Sequence, residues 1–122
     1  AAAGARQAAE ATGGTAKVFE SVDPITRRRD LDAAAKGGAD IVISYAFEFA
    51  DILNDVPPNY PDTQFLSVDF CPDAPAANVH CILFRDHEMT FLAGAEAAWL
   101  NPTGSFAALA ADTTAQRALR AV

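Results

Sequence analysis

Length and charge limit what this chain can be. It has 122 residues, 51% of them hydrophobic, which is enough for one core of ordinary domain size and too few for two. Its formal net charge of -7 makes nucleic acid and anionic membranes unsuitable partners, since both would repel it. The basic run 27–29 is followed by Asp30 and Asp32, so we expect a solvated helix face there, with a contact site as the alternative.

No targeting or membrane segment is visible. No apolar run reaches the roughly 18 residues that cross a bilayer, and no charged and apolar segments precede a cleavage site. We therefore expect a soluble chain, and the same residues also fit a mature exported protein whose signal has been removed.

The first third of the chain predicts a helix, a strand and a second helix. Residues 1–12 are rich in alanine and end at Gly13-Gly14, which indicates a helix and its C-cap. Residues 17–21 alternate weakly and predict a strand. Thr26 is then the expected N-cap of a helix over 26–36.

From residue 39 onward, strands and helices alternate again. The apolar runs and their stop signals predict strands at 41–45, 64–68, 79–84 and, weakly, 106–111, and helices at 48–56, 86–100 and 113–121. This alternation indicates an α/β fold: a parallel sheet with helices on both faces. In the common strand order 2-1-3-4-5 the central strand is missing from this set, and unpaired strand edges are costly. We therefore expect a piece of a longer chain or a strand supplied by a partner.

Three side chains lie where a ligand would bind. Ligands of open α/β sheets occupy the crevice beyond the carboxyl ends of the strands, which puts Tyr45, Phe47 and Asp69 on the ligand side. Asp69 can accept hydrogen bonds from hydroxyl or amine groups, and the alternative is a carboxylate that caps loop amides. Tyr45 and Phe47 can stack on a flat heterocycle or pack in the core. Phe49, on the helix side, is expected in the core.

The two cysteines suggest a disulfide, and the sequence shows no arrangement of side chains suited to catalysis. Cys71 follows one predicted strand and Cys81 lies in the next, so their Cα atoms can come within disulfide range; two buried free thiols are the alternative. His80 and Cys81 point to opposite faces of a strand and cannot act as a pair. His87 lies beside Asp86 and Glu88, but this spacing does not place three metal ligands on one helix face, and no phosphate loop or nucleophile elbow occurs. We predict no enzyme, cofactor or metal.

The middle of the chain resembles the basic membrane protein (BMP) family of substrate-binding lipoproteins, of the purine-nucleoside receptor type. The resemblance rests on three segments in the family's order, which are GGADIVISYAFEFADIL, YPDTQFLSVD and NVHCILFRDHEMTFLAGAEAAWL. Thr103-Gly104 follows where the family also has Thr-Gly. The first matches the family's strand-glycine-phenylalanine unit, the second its Tyr-Pro-Asp-Thr strand ending in aspartate, and the third its Phe-Leu-Ala-Gly helix. The resemblance covers about residues 1–104.

This resemblance implies a fold, a function and partners. The fold would be a parallel-sheet sandwich, with 1–122 forming one lobe of a type I periplasmic binding protein whose first strand and second lobe lie outside this range. The function would be solute binding for an ABC importer, with a purine nucleoside or a riboflavin-like compound held between closing lobes. The partners would be the solute and a transporter permease. The protein would be exported, periplasmic or at the cell surface, and lipid-anchored when full-length, a setting that favours a Cys71–Cys81 disulfide.

Two other classes share the alternating pattern. A flavodoxin-like or hydrolytic enzyme would need a phosphate loop or a nucleophile and base, which the sequence lacks. A cytosolic effector-sensing domain of a regulator would have the same fold, but a disulfide would argue against the cytosol.

Overall fold

The structure, a computed structural model, describes residues 2–101 and 103–105. Two compact units divide the chain after Leu83. The first unit contains α1 (Ala2–Thr12), α2 (Pro24–Lys36), α3 (Ala50–Asp55), β1 (Ile41–Tyr45), β2 (Gln64–Val68), β3 (Val79–Ile82) and 3₁₀ turns at Phe47–Phe49 and Pro57–Asn59. The second unit contains α4 (Asp86–Leu100). In the described residues, no helix is both long enough and apolar enough to cross a membrane.

The three strands form one parallel sheet in the order β1-β2-β3. Tyr45 is paired with Val68, and Val68 with Ile82, so the last residues of the three strands lie side by side. Because the strands are parallel, their carboxyl ends open at a single edge. The predicted α/β class is confirmed, and β1 and β2 have the predicted bounds.

The core lies on one face of this sheet. The strand side chains of Val42, Phe65 and Val79 are buried with Leu31 of α2 and with Ile52 and Leu53 of α3, as is expected when apolar area is removed from water. The opposite face is exposed, at Ile41, Ile43, Tyr45 and Ile82. The sequence predicted helices over both faces of the sheet. In this unit, α2 and α3 pack on the same face.

Helix α2 begins earlier than the sequence suggested. The expected N-cap was Thr26, but the cap is Asp23, whose carboxylate accepts from the Thr26 N–H at 2.8 Å. The Asp23 N–H in turn donates to the Thr26 hydroxyl oxygen at 3.2 Å, which completes a capping box. Pro24 occupies the first helical position, where proline is favoured because no N–H is needed.

The strand predicted at 17–21 is wrong. Residues 14–22 have no regular structure, and Ser21 is tied to α2 by a 2.8 Å hydrogen bond from its hydroxyl to Asp30. A strand needs a neighbour for its backbone groups, and the expected order puts another strand between this segment and β1. With no such strand among the described residues, the segment has no ladder to join.

Other element bounds differ by small amounts. The helix predicted at 48–56 is a 3₁₀ turn followed by α3, and β3 ends at Ile82, two residues early. The predictions for 106–111 and 113–121 lie outside the described residues. Helix α4 has the predicted bounds, and Asp86 and Glu88 in its first turn complement the helix dipole.

Candidate functional site

The carboxyl edge of the sheet is built by a repeated backbone contact. The Ala46 N–H, one residue after β1, donates to the Val68 carbonyl at 2.9 Å. The Asp69 N–H, one residue after β2, donates to the Ile82 carbonyl at 2.8 Å. Each strand exit is therefore tied to the last residue of the next strand, which fixes where the following side chains begin.

Both exits have unusual backbone conformations. Ala46 has φ 73° and ψ 170°, and Asp69 has φ 71°. Among the described residues they are the non-glycine positions with positive φ. Asp tolerates left-handed conformations better than most residues, whereas the Ala46 region is one that essentially only glycine adopts. Such outliers concentrate at functional sites, and the two lie at adjacent strand ends.

The predicted ligand residues lie at or next to this edge. Tyr45 ends β1 with its side chain on the open face, 54% exposed, and Phe47 starts the 3₁₀ turn that follows and is 37% exposed. Asp69 is half-buried at the exit of β2. Phe49 packs against the core cluster, as expected. The edge therefore presents an aromatic phenol, a strained backbone turn and a carboxyl group.

A disulfide lies just beyond Asp69. Cys71 and Cys81 are joined, with their Cα atoms 5.5 Å apart, and both residues are half-buried. Cys81 packs against the core cluster. The bond therefore attaches the loop after β2 to the neighbouring strand β3, close to the edge where Asp69 lies.

The histidines do not form a catalytic or metal-binding group. His80 Nε2 lies 2.9 Å from Gln64 Oε1 on the exposed sheet face. His87 Nε2 is 4.0 Å from a carboxylate oxygen of Glu88, and both side chains are largely exposed. No group of three potential metal-ligating side chains occurs in the part of the chain that the structure describes.

Contacts to carboxylates hold α2 to the last residue of α3 and to the turn that follows it. Arg28 pairs with Asp55, and the Tyr60 hydroxyl donates to Asp32 at 2.7 Å. The bond to Asp32 raises the pKa of Tyr60. On the other side of α2, the Ser21 hydroxyl and then Arg29 lower the pKa of Asp30. Arg28 and Arg29 of the basic run 27–29 are exposed and each is paired with a carboxylate, as expected of a solvated helix face.

Two residues that shape this site, Asn78 and Ala46, were not predicted from the sequence. Asn78 is buried, and its amide Nδ2 lies 3.0, 2.9 and 3.0 Å from the carbonyl oxygens of Pro57, Tyr60 and Thr63. Ala46 gave no side-chain signal at all. The single hint was the family motif, which has glycine between the strand and the phenylalanine.

The fold and the open strand ends place this chain among periplasmic-binding-protein-like lobes. Residues 3–117 match the model of the Bmp family, described as ABC transporter substrate-binding protein PnrA-like. The chain belongs to this family. The class is one of transporter substrate-binding proteins and not of enzymes.

Two solved structures are similar to the chain. One is a solute-binding protein of an ABC transporter system from Aeropyrum pernix K1, 29% identical with a TM-score of 0.67, matched over 75% of this chain and 25% of that one. The other is a putative lipoprotein fragment from Peptoclostridium difficile 630, 27% identical with a TM-score of 0.61, matched over 81% of this chain and 82% of that one. The chain thus spans a quarter of the length of the Aeropyrum protein. A comparison with curated protein sequences gave no significant match.

Proposed function

We propose that this chain forms one lobe of the solute-binding component of an ABC importer and that the solute is a small polar heteroaromatic compound, a purine nucleoside first. The observation that carries the proposal is the exposed Tyr45 ring at the sheet edge where Asp69 leaves β2, in a chain of a substrate-binding family. Ligands of open α/β sheets bind at this edge.

Each proposed ligand residue has a distinct role. Tyr45 and Phe47 supply aromatic faces, which stack on a flat base with large area and little loss of side-chain entropy. Asp69 accepts hydrogen bonds from ribose hydroxyls or a base amine. Its half-buried position reduces competition from water. Stacking gives affinity for any flat heterocycle, and the carboxylate favours solutes that carry donors.

The test is calorimetric titration of adenosine into the complete two-lobed protein. Asp69→Asn keeps a residue that tolerates positive φ but removes the charge, and we expect affinity to fall roughly tenfold or more, about 1.4 kcal/mol per tenfold. Asp62→Asn is the matched control, because it removes the same charge from the turn before β2, at the opposite end of that strand. Equal affinities in the wild type and Asp69→Asn would exclude Asp69 from the site.

The aromatic contribution is tested by a pair of variants at one position. Tyr45→Phe retains the ring and should bind adenosine nearly as the wild type does, whereas Tyr45→Ala should lose up to about tenfold, as the 0.5–1.5 kcal/mol of an aromatic pair implies. If the two variants bind equally, stacking by Tyr45 makes no contribution.

The proposed role brings a permease partner and an exported location. A substrate-binding lipoprotein delivers its solute to the permease of its transporter from outside the cytoplasm, held at the membrane by a lipid on the full-length protein. The Cys71–Cys81 bond supports this location, because structural disulfides persist in oxidising compartments and are rare in the cytosol.

The sheet of this lobe is proposed to gain a further strand beside β1. Val42 and Ser44 direct their backbone groups toward β2, so by the alternation of a parallel ladder those of Ile41, Ile43 and Tyr45 face the edge that no described strand occupies. Their side chains are exposed as well. A longer polypeptide or a second copy of the chain would satisfy this edge.

Amide hydrogen exchange measures this completion directly. In the 122-residue chain at low concentration, the Ile43 amide should exchange quickly and the Ser44 amide slowly. In the complete protein, or in a dimer, both should be protected. Equally slow exchange of the two amides in a verified monomer would contradict the proposal.

A further inference from the structure

We propose that the Cys71–Cys81 disulfide holds Asp69 in its left-handed backbone conformation, which makes the two cysteines positioning residues for the carboxyl group. The ligand-binding role of that group rests on the function proposed above. The conformational role of the disulfide does not, because it follows from the geometry of the strand exit.

The disulfide and one hydrogen bond close a small ring around Asp69. After β2 the chain continues through Asp69 and Phe70 to Cys71. The disulfide joins Cys71 to Cys81 of β3, and Ile82 is the next residue of that strand. The Asp69 N–H then donates to the Ile82 carbonyl at 2.8 Å and completes the circuit. These five residues are called the disulfide ring below. The ring attaches both ends of the short segment 69–71 to the same strand.

The disulfide ring occurs where other support is weak. Parallel strands are usually joined by a dozen or more residues that include a helix. The connection from β2 to β3 is residues 69–78, with no helix or strand within it. The exit at Ala46 differs, because a 3₁₀ turn and α3 follow at once and the Ala50 N–H bonds to the Phe47 carbonyl. The chain thus supports one strained exit by a helix and the other by a covalent bond.

Cleavage of the disulfide should release Asp69 selectively. Dithiothreitol transfers two electrons and two protons to the bond, which gives two protein thiols and the cyclic oxidised reagent. Without the bond, the segment after β2 is free to rotate, and negative φ is the more stable state for an aspartate. Relaxation to negative φ would redirect the backbone after Asp69 and turn its carboxyl group away from its oxidised-state position. The displaced segment would pull the end of β2 away from β3 and so weaken the Asp69–Ile82 hydrogen bond.

Amide exchange of Asp69, followed by NMR, tests this without any ligand. On reduction, exchange of the Asp69 amide should accelerate by roughly tenfold or more, while the Ala46 amide, which makes the equivalent bond at the other exit, should change little. Unchanged exchange at Asp69 would overturn the proposal. Equal acceleration at both amides would also overturn it, since the bond would then stabilise the lobe as a whole.

Two variants establish the cause. Asp69→Gly accepts positive φ without strain, so its amide should stay protected after reduction, and loss of protection there would contradict the proposal. The Cys71→Ser/Cys81→Ser variant should show the fast Asp69 exchange of the reduced wild type and no response to dithiothreitol. A variant that exchanges like the oxidised wild type would show that the bond is dispensable.

The same variants separate this inference from the proposed function. If the disulfide ring positions a ligand group, Cys71→Ser/Cys81→Ser should weaken adenosine binding in the complete protein, with no further loss when Asp69→Asn is added. If Asp69→Asn alone leaves affinity unchanged while the amide result holds, the proposed ligand role fails and the conformational role remains.

Discussion

The Ala46 N–H is hydrogen-bonded to the carbonyl of Val68, the residue immediately before Asp69, and both Ala46 and Asp69 have positive φ. The two strained residues therefore lie next to each other at the ends of neighbouring strands, since Ala46 is bonded to the residue before Asp69. Each redirects the chain as it leaves a parallel strand, and each precedes an aromatic residue, Phe47 or Phe70. The site's shape thus depends on backbone conformations that the side chains themselves do not favour.

Ala46→Gly should stabilise the lobe. A non-glycine residue in the conformation of Ala46 costs about 1–3 kcal/mol, and the greater freedom of glycine in the unfolded chain offsets about 0.4–1 kcal/mol of the relief. We expect a net gain of about 1 kcal/mol in urea unfolding. The matched control, Ala33→Gly at an exposed position of α2, should lose about 1 kcal/mol. A loss in both variants would show that Ala46 is unstrained.

The native protein should contain no free thiol. Cys71 and Cys81 lie on the exit of β2 and within β3, and the structure joins them. Intact mass after alkylation without reduction should equal that of the unmodified chain, and reduction before alkylation should add two groups. The discriminating result is the first: two alkylated cysteines in freshly prepared native protein would contradict the bond.

The strands could be predicted from the sequence because their signals are local. Apolar runs bounded by Gly37-Gly38 and by the prolines after Val56 gave β1 and β2 their bounds. The strand at 17–21 failed because a weak pattern needs a neighbouring strand to become a ladder, and local sequence does not report the neighbour. Tyr45 and Asp69 could be placed at one edge because parallel strands share a direction.

The rest of the site depends on tertiary contacts. The positive φ of Ala46 occurs where its N–H bonds to Val68 and a 3₁₀ turn follows, and nothing in an alanine indicates it. Asn78 carries no motif, and its importance comes from three carbonyls that are 15 to 21 residues away along the chain. Such roles become visible once the chain is folded.

Asp23 should make the stability of the lobe depend on pH in the acid range. The Thr26 N–H bond lowers the pKa of Asp23 below its usual 3.8 in the folded state. The stabilisation is therefore present above 3.8 and is lost as the pH falls through the folded-state pKa. Asp23→Ala should unfold at lower urea than the wild type at about pH 7, and the gap should narrow at about pH 2.5.

Asp23→Asn is the control for this effect, because asparagine also caps helices but does not titrate. Its gap from Asp23→Ala should stay constant between the two pH values. A gap between the wild type and Asp23→Ala that is equally constant would show that ionisation of Asp23 does not contribute.

Asn78→Asp should destabilise the lobe strongly although it changes the side-chain volume very little. The Asn78 amide contacts three carbonyl oxygens that organise the turn between α3 and β2, and the residue is 9% exposed. A carboxylate offers no donor, so it would leave these buried oxygens unpaired and repel them, at about 1–3 kcal/mol for each group left unsatisfied. We expect a loss of about 3 kcal/mol or more in urea unfolding.

Asn59→Asp is the matched control, since the Asn59 amide bonds to the carbonyls of Asp55 and Val56 from an exposed position where water can replace it. Its loss should stay within about 1 kcal/mol. Similar losses in the two variants would mean that Asn78 does not hold the turn through its amide.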